Sequence, residues 1–399
     1  MSEKVWIAGG GVICGIGLNL QECLQSFKDM RPGMGAMQYL SSVHRNTFPV
    51  AEVKADNDTL ADIARMPEHI SRTALLSLIA AREAWQSSGL DDISNYRVGF
   101  VSGNTVGGMD KTEDFFESFL KDPRGGRLRE VVHHECGSIT ELVADMLGIR
   151  HHVSTISTAC SSGANALMYG ARLIRNNIVD VVIAGGTDAL TRFTLNGFNT
   201  LMILDQQPCR PFDDTRTGLN LGEGAGYVIL VSDSLAARLQ PWCRFSGFAN
   251  ANDAHHQTAS SPDGTGNYLA MKGALDMSGL QPQQIGYINL HGTGTQNNDL
   301  SEGIAINRLF APYFPPMSST KSFTGHTLGA SGGIEAVFSA FALKEGILYP
   351  NARFEHQMKE LPFAPVTQFS TGHELQHVMS NSFGFGGNCS SLVFSVASH

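Results

Sequence analysis

Apolar and polar positions along the chain follow two rhythms. Short continuous apolar runs at residues 5–13, 98–101, 181–184, 227–232, 287–290 and 392–396 have the length and composition of buried strands. Between them, apolar positions recur at helical spacing. The clearest case is residues 70–88, where Leu75, Leu76, Ile79, Ala80 and Ala84 mark one face before Gly89-Leu90 ends the segment. The first run breaks at Gly9-Gly10-Gly11, which predicts a close turn before a helix over 20–30. Those glycines do not make a dinucleotide fingerprint, because Cys14 stands where G-x-G-x-x-G needs its last glycine.

The order of elements repeats. A helix over 70–88, a strand over 98–101 and the glycine loop from Gly103 to Gly108 return as a helix over 268–277, a strand over 287–290 and His291-Gly292-Thr293-Gly294-Thr295. Residues 158–178 match 327–347 at a constant offset of 169, pairing Thr158 with Thr327, Gly163 with Gly332 and Ile178 with Ile347. Gly222-Glu223-Gly224 with its following strand corresponds to Gly384-Phe385-Gly386 with its own. Three matches in one order predict a duplicated α/β unit, joined near 234–244, with halves 1–238 and 239–399. Helix and strand alternate, so largely parallel sheets covered by helices are expected, with chemistry at strand ends.

Composition changes the picture only by exclusion. Apolar residues make up 42% and charged residues 16% of 399, which describes a globular chain. A net charge of −9 without a basic run argues against nucleic-acid binding. Seven cysteines with neither C-x-x-C nor zinc spacing predict no metal and no disulfide framework, and fit a reducing cytoplasm. The chain lacks both a secretory pattern near Met1 and an apolar run long enough to span a membrane.

Candidate chemistry centres on Ser154-Thr155-Ile156-Ser157-Thr158-Ala159-Cys160-Ser161-Ser162-Gly163, a strand entering a helix through small residues. A thiol at a helix start sits among unpaired N–H groups, surroundings that lower a cysteine pKa from about 8.5 to roughly 3.5–7.5. A thiolate nucleophile is therefore expected at Cys160. His291 and His326, each in a glycine-threonine turn, are candidate proton carriers or hydrogen-bond donors. Gly329-Ala330-Ser331-Gly332-Gly333 satisfies G-x-S-x-G, but the preceding strand ends too early for a nucleophile elbow.

Together these segments resemble the β-ketoacyl-acyl-carrier-protein synthases, elongating synthase II type, of the condensing-enzyme (thiolase-fold) superfamily. The resemblance rests on Thr158-Ala159-Cys160-Ser161-Ser162-Gly163, Arg210-Pro211-Phe212-Asp213, Gly222-Glu223-Gly224-Ala225-Gly226, the two histidine segments and Asn381-Ser382-Phe383-Gly384-Phe385-Gly386-Gly387. It implies a thiolase fold, an α/β architecture layered αβαβα. It also implies decarboxylating condensation of a Cys160-bound acyl group with a malonyl carrier thioester, in fatty-acid or related polyketide or polyene synthesis, without a cofactor. His291 and His326 would assist decarboxylation, with Lys321 and Glu335 as a buried pair beside the second histidine. Backbone N–H groups of Cys160 and Phe385 would hold an oxyanion, with Phe385 also the gate.

The resemblance further implies substrate contacts at Val106, Thr293 and Thr295, acyl carrier protein as partner, and a homodimer or a heterodimer with a related subunit. Two alternatives stand beside it: a non-catalytic, chain-length-factor-like subunit, and a coenzyme A-dependent thiolase with a second catalytic cysteine, for which Cys389 is the candidate. The sequence departs from the family pattern at Leu219-Asn220, Asn388-Cys389 and Met202, where a basic residue is usual; Arg124, Arg127 and Arg129 are the candidate replacements for carrier docking.

Overall fold

A computed structural model describes residues 3–67 and 69–396. The strands are β1 Val5–Cys14, β2 Val98–Gly103, β3 His152–Ile156, β4 Val181–Asp188, β5 Gly224–Ser232, β6 Cys243–Asn252, β7 Tyr287–Asn289, β8 Met317–Ser318, β9 His377–Phe383 and β10 Asn388–Ser395. The first-half helices are α1 Leu20–Lys28, α2 Asn57–Ala64, α3 Arg72–Ser87, α4 Met109–Lys121, α5 Cys136–Leu147, α6 Ser162–Arg175, α7 Arg192–Thr200 and α8 Asp233–Ala236. The second half has α9 Thr265–Ser278, α10 Gln296–Phe310, α11 Lys321–Thr324 and α12 Ser331–Glu345.

Strand order is β3-β2-β4-β5-β1-β6-β10-β9-β7-β8. From either end inward the order is the same, each strand of the second half standing five places after its counterpart. Among the described residues the two sets of strands pair edge to edge through only Trp6↔Arg244 and Ile7↔Cys243. Helices α3 and α5 cover the outer face of the first half, and α9 and α10 that of the second. Between the two sets of strands lie α6 and α12, which completes the expected αβαβα layering.

The central helices cross at the pair that the repeat had matched. A Cβ on Gly163 would meet the Gly333 nitrogen at 2.5 Å, and one on Gly332 would meet the Ala164 nitrogen at 2.6 Å. Any larger side chain would push the two helix starts apart, and with them the loops they carry. Equivalent residues that touch are what a pseudo-twofold axis between two copies produces.

Two expectations need correction. The sheet is mixed: β2–β3, β2–β4, β7–β8 and β7–β9 are parallel, whereas β1–β5, β4–β5, β6–β10 and β9–β10 are antiparallel. Apolar runs misled because helices bury both faces of every inner strand, so antiparallel β5 reads as continuously apolar as parallel β4. Nor does the chain turn at Gly9-Gly10-Gly11, since β1 runs through to Cys14. The glycines instead let α3 press on the strand, a Cβ on Gly11 coming 2.3 Å from the Ala80 carbonyl oxygen.

Candidate active site

Strand β3 ends at Ile156 and α6 begins at Ser162, so five residues make the turn that carries Cys160. Ala159 takes φ 52°, a left-handed conformation that costs a non-glycine residue energy and turns the chain sharply before the cysteine. The Thr158 N–H donates to Ser162 Oγ at 2.8 Å, and Ser162 Oγ donates to the Ala159 carbonyl, which locks the turn. Cys160 is 5% exposed and faces a cavity of about 370 Å³.

The second half supplies both histidines. Cys160 Sγ and one ring nitrogen from each of His291 and His326 lie within 4.8 Å of one another. The two rings stand edge to face with centroids 5.5 Å apart. His326 Nδ1 accepts the Leu328 N–H at 3.0 Å, so the neutral ring carries its hydrogen on Nε2. His291 Nδ1 lies 3.3 Å from Lys321 Nζ, a donor-only group, which assigns His291 the same tautomer.

Burial disfavours charge on both rings. His291 is held well below the ordinary imidazole value by burial, then by the Lys321 charge and by His326; His326 is lowered by burial and then Lys321. The two histidines are thus neutral N–H donors at neutral pH. The three-atom cluster has the spacing of a metal-ligand set, and a metal there would have to displace the thiol proton and move both imidazole hydrogens onto Nδ1, against Lys321 and the Leu328 N–H.

Cys160 departs from the thiolate expectation. Burial pushes its thiol up to about 11, outweighing the Phe385 N–H, the Lys321 charge and the cysteine's own N–H, all of which favour the anion. The helix-start argument has the right sign but the smaller size, because a thiol sealed in a cavity loses its hydration.

The remaining expected residues fall into three places. Thr293, Thr295 and Phe385 line the cavity with the cysteine and histidines. Lys321 and Glu335 stand behind His291, with Lys321 Nζ donating to Glu335 Oε1; burial raises Glu335 to about 7 against the pull of that ammonium. The pair therefore serves the first histidine directly, whereas the sequence had set it beside the second. Val106 lies beyond the wall, in an apolar cluster with Leu219, Leu328 and Phe198. Ser331, from the misleading G-x-S-x-G, is buried at the start of α12, its Oγ 3.1 Å from Thr327 Oγ1.

Several contributing residues had no place in the sequence reading. Glu302 on α10 accepts the His291 and Gly292 N–H groups at 2.9 and 2.8 Å, and Asp299 one turn earlier accepts those of Thr293, Gly294 and Phe212. An Asp-x-x-Glu pair on one helix face, just after a glycine loop full of free N–H groups, was the signal. The Phe385 ring stacks on Phe198 from α7, centroids 5.8 Å apart. Asn388, flagged only as a departure, accepts from Ser161 Oγ, Asn165 Nδ2 and Asn250 Nδ2 at 2.7–2.9 Å and ties the glycine loop to the nucleophile turn.

A buried thiol, two neutral imidazole donors and a glycine loop with a stacked aromatic, set across the two halves of a duplicated αβαβα fold, define a condensing enzyme of thiolase fold. Residues 2–236 match the family model "Beta-ketoacyl synthase, N-terminal domain" and 242–355 match "Beta-ketoacyl synthase, C-terminal domain". The chain belongs to the β-ketoacyl synthase family and is a ketosynthase, an acyltransferase. It is 31% identical to a 3-oxoacyl-[acyl-carrier-protein] synthase 2 of Staphylococcus aureus (strain N315) over 409 residues, covering 98% of each chain. It is 30% identical over 413 residues to the enzyme of that name from Coxiella burnetii, again over 98% of each.

Among solved structures it resembles the ishigamide ketosynthase/chain length factor, with a TM-score of 0.93 at 26% identity over 100% of both chains. It also resembles the structure of a ketosynthase (ApeO) in complex with its chain length factor (ApeC) from Xenorhabdus doucetiae, with a TM-score of 0.85 at 32% identity over 99% of this chain and 98% of that one. No helix among the described residues is long and apolar enough to cross a membrane.

Proposed function

We propose that Cys160 takes an acyl group from an acyl carrier protein and that His291 and His326 then drive its condensation with a malonyl group on a second carrier. The observation that carries this reading is that a ring nitrogen of each neutral histidine lies within 4.8 Å of the buried sulphur while Nδ1 of each ring is engaged by Lys321 or the Leu328 N–H, which leaves Nε2–H as the donor. In the first step Cys160 sulphur attacks the carrier thioester, the carrier thiol leaves, and the cysteine proton passes to it. The tetrahedral oxyanion is held by the Cys160 and Phe385 N–H groups.

In the second step the malonyl thioester loses carbon dioxide and leaves an enolate, whose oxygen receives both imidazole N–H groups. Donors placed where charge develops are worth about 10²–10³ each in rate. The enolate carbon attacks the acyl-cysteine carbonyl, the carbon–sulphur bond breaks, and the cysteine sulphur takes up a proton. Lys321, itself held by Glu335, keeps His291 Nδ1 an acceptor, and Phe385 opens and shuts the acyl branch toward Val106. Thr293 and Thr295 meet the pantetheine arm of either carrier.

The thiolase alternative needs a free second cysteine. Cys389 lines the cavity but donates to Asn267 Oδ1 at 3.2 Å, and burial pushes it up to about 12. The chain-length-factor alternative has no use for an intact Cys-His-His set. For the carrier, Arg127 and Arg129 share a recess with Lys111 and His69, whereas Arg124 lies beside Asp122 at 3.5 Å; we assign docking to the first two. A related chain would pair along β3, a half-buried edge strand, and over exposed Phe116 and Leu120. The halves would join at 238–239, between α8 and β6, and seven free thiols suit the cytoplasm.

Incubation with acyl and malonyl carriers, followed by mass analysis, tests the reading. Acyl-Cys160, carbon dioxide and ketoacyl carrier should all form, and all but the carbon dioxide should vanish in Cys160→Ala. Wild type that never becomes acylated would overturn it.

A further inference from the structure

Three arginines far from the cavity lie near one another, and none of them forms an ion pair among the described residues. Arg172 and Arg175 leave the last turn of α6, and their guanidinium carbons lie 5.8 and 5.1 Å from the centre of the Phe248 ring on β6. Arg244 joins them from the start of the same strand. The charged neighbours that act on Arg175 are Arg244 and Arg172, and burial together with their repulsion lowers its guanidinium. The Nε–H groups of Arg175 and Arg244 are both sealed from solvent and meet no acceptor among the described residues.

Part of this has a plain explanation. Cations suit the C-terminal end of a helix, and guanidinium groups stack on aromatic rings. Neither effect supplies acceptors for two sealed N–H groups, and neither accounts for Arg244, which comes from a strand. Sealed N–H groups without acceptors are costly even on half-buried side chains, and repulsion among the three cations adds to the cost. A ligand with several acceptor oxygens and more than one negative charge removes both penalties, and the guanidinium fork matches phosphate geometry.

We propose that Arg172, Arg175 and Arg244 form a binding site for a tetrahedral oxyanion of the phosphate or phosphate-monoester class. The site stands at the opposite end of α6 from Cys160, about 20 Å away along a helix of this length. It is therefore separate from the carrier thioester chemistry and does not depend on it.

The test is thermal unfolding and calorimetric titration of the whole protein with inorganic phosphate, against sodium chloride at matched ionic strength. Saturable heat and a rise in unfolding temperature are expected with phosphate alone. Both should be lost in Arg175→Met/Arg244→Met, which should keep wild-type condensation activity. An equal response to chloride, or an unchanged phosphate response in the double variant, overturns the site. So does a double variant whose only change is a smaller assembly in light scattering, since the arginines would then meet a neighbouring subunit instead. Should the double variant fail to fold, Arg175→Lys and Arg244→Lys singly serve the same comparison, with weakened phosphate binding expected from loss of the fork.

Discussion

Lys321 and His291 are coupled through a single contact: the ammonium nitrogen stands 3.3 Å from His291 Nδ1 and donates at the same time to Glu335. One cation thus sets the hydrogen position on the His291 ring, and a buried carboxylate keeps that cation in place. Lys321→Met removes the donor and leaves Glu335 unpaired. Condensation should fall by about 10²–10³ while Cys160 acylation stays within a few-fold. Equal loss of both steps, measured by acyl-enzyme formation and carbon dioxide release, would reduce the pair to a structural role.

The Cys160 thiol, raised to about 11, should show its burial in reactivity. Alkylation of Cys160 by iodoacetamide, followed on its own peptide by mass, should keep rising with pH from 8 to 10. A plateau below pH 8 would mean that the helix start and the Phe385 N–H prevail over burial after all.

Glu302 is pushed up to about 7, chiefly by burial, although three donors pull the other way. A carboxyl whose folded value is raised contributes stability that is full below the ordinary 4.5 and is lost as pH rises through 7, because the unfolded chain releases its proton first. Wild type should therefore lose stability relative to Glu302→Gln between pH 4.5 and 7. Parallel denaturation midpoints across that range would contradict the assignment.

Phe385 rests on Phe198, and such stacked pairs contribute about 0.5–1.5 kcal/mol beyond their buried area. Phe198→Ala should loosen the gate by about 2–10-fold. The expected readout is a higher ratio of carbon dioxide released to ketoacyl product formed, since malonyl groups would react before an acyl group is seated. An unchanged ratio would place the gate's hold elsewhere.

Val106 packs with Leu219 and Phe198 beyond the cavity wall, and under the proposed function the acyl chain extends toward it. Val106→Phe should shorten the longest acyl carrier accepted, with the shortest substrates unaffected. Activity against carriers of graded length decides the point, and a uniform loss would show general damage to the cluster.

Much of this molecule is local information. The strand-turn-helix around Cys160, the 169-residue offset and the two histidine loops are all legible because periodicity and turn residues act within one element and its neighbours. The pairing of Gly163 with Gly332 along the chain even named the place where the two halves touch. Strand direction was not legible, since two-sided burial gives β4 and β5 the same apolar signature. Nor was the state of the thiol. Whether a helix start makes a cysteine acidic depends on how much water the fold leaves it, and that was decided by the glycine loop and the two histidine loops that line one cavity with Cys160. The tautomers of His291 and His326 likewise follow from Lys321 and Leu328, contacts that exist only once the chain has folded. Sequence singled out the cysteine and the two histidines that meet in one cavity; the tertiary structure decided their protonation, because desolvation and cross-half contacts are properties of the assembled cavity.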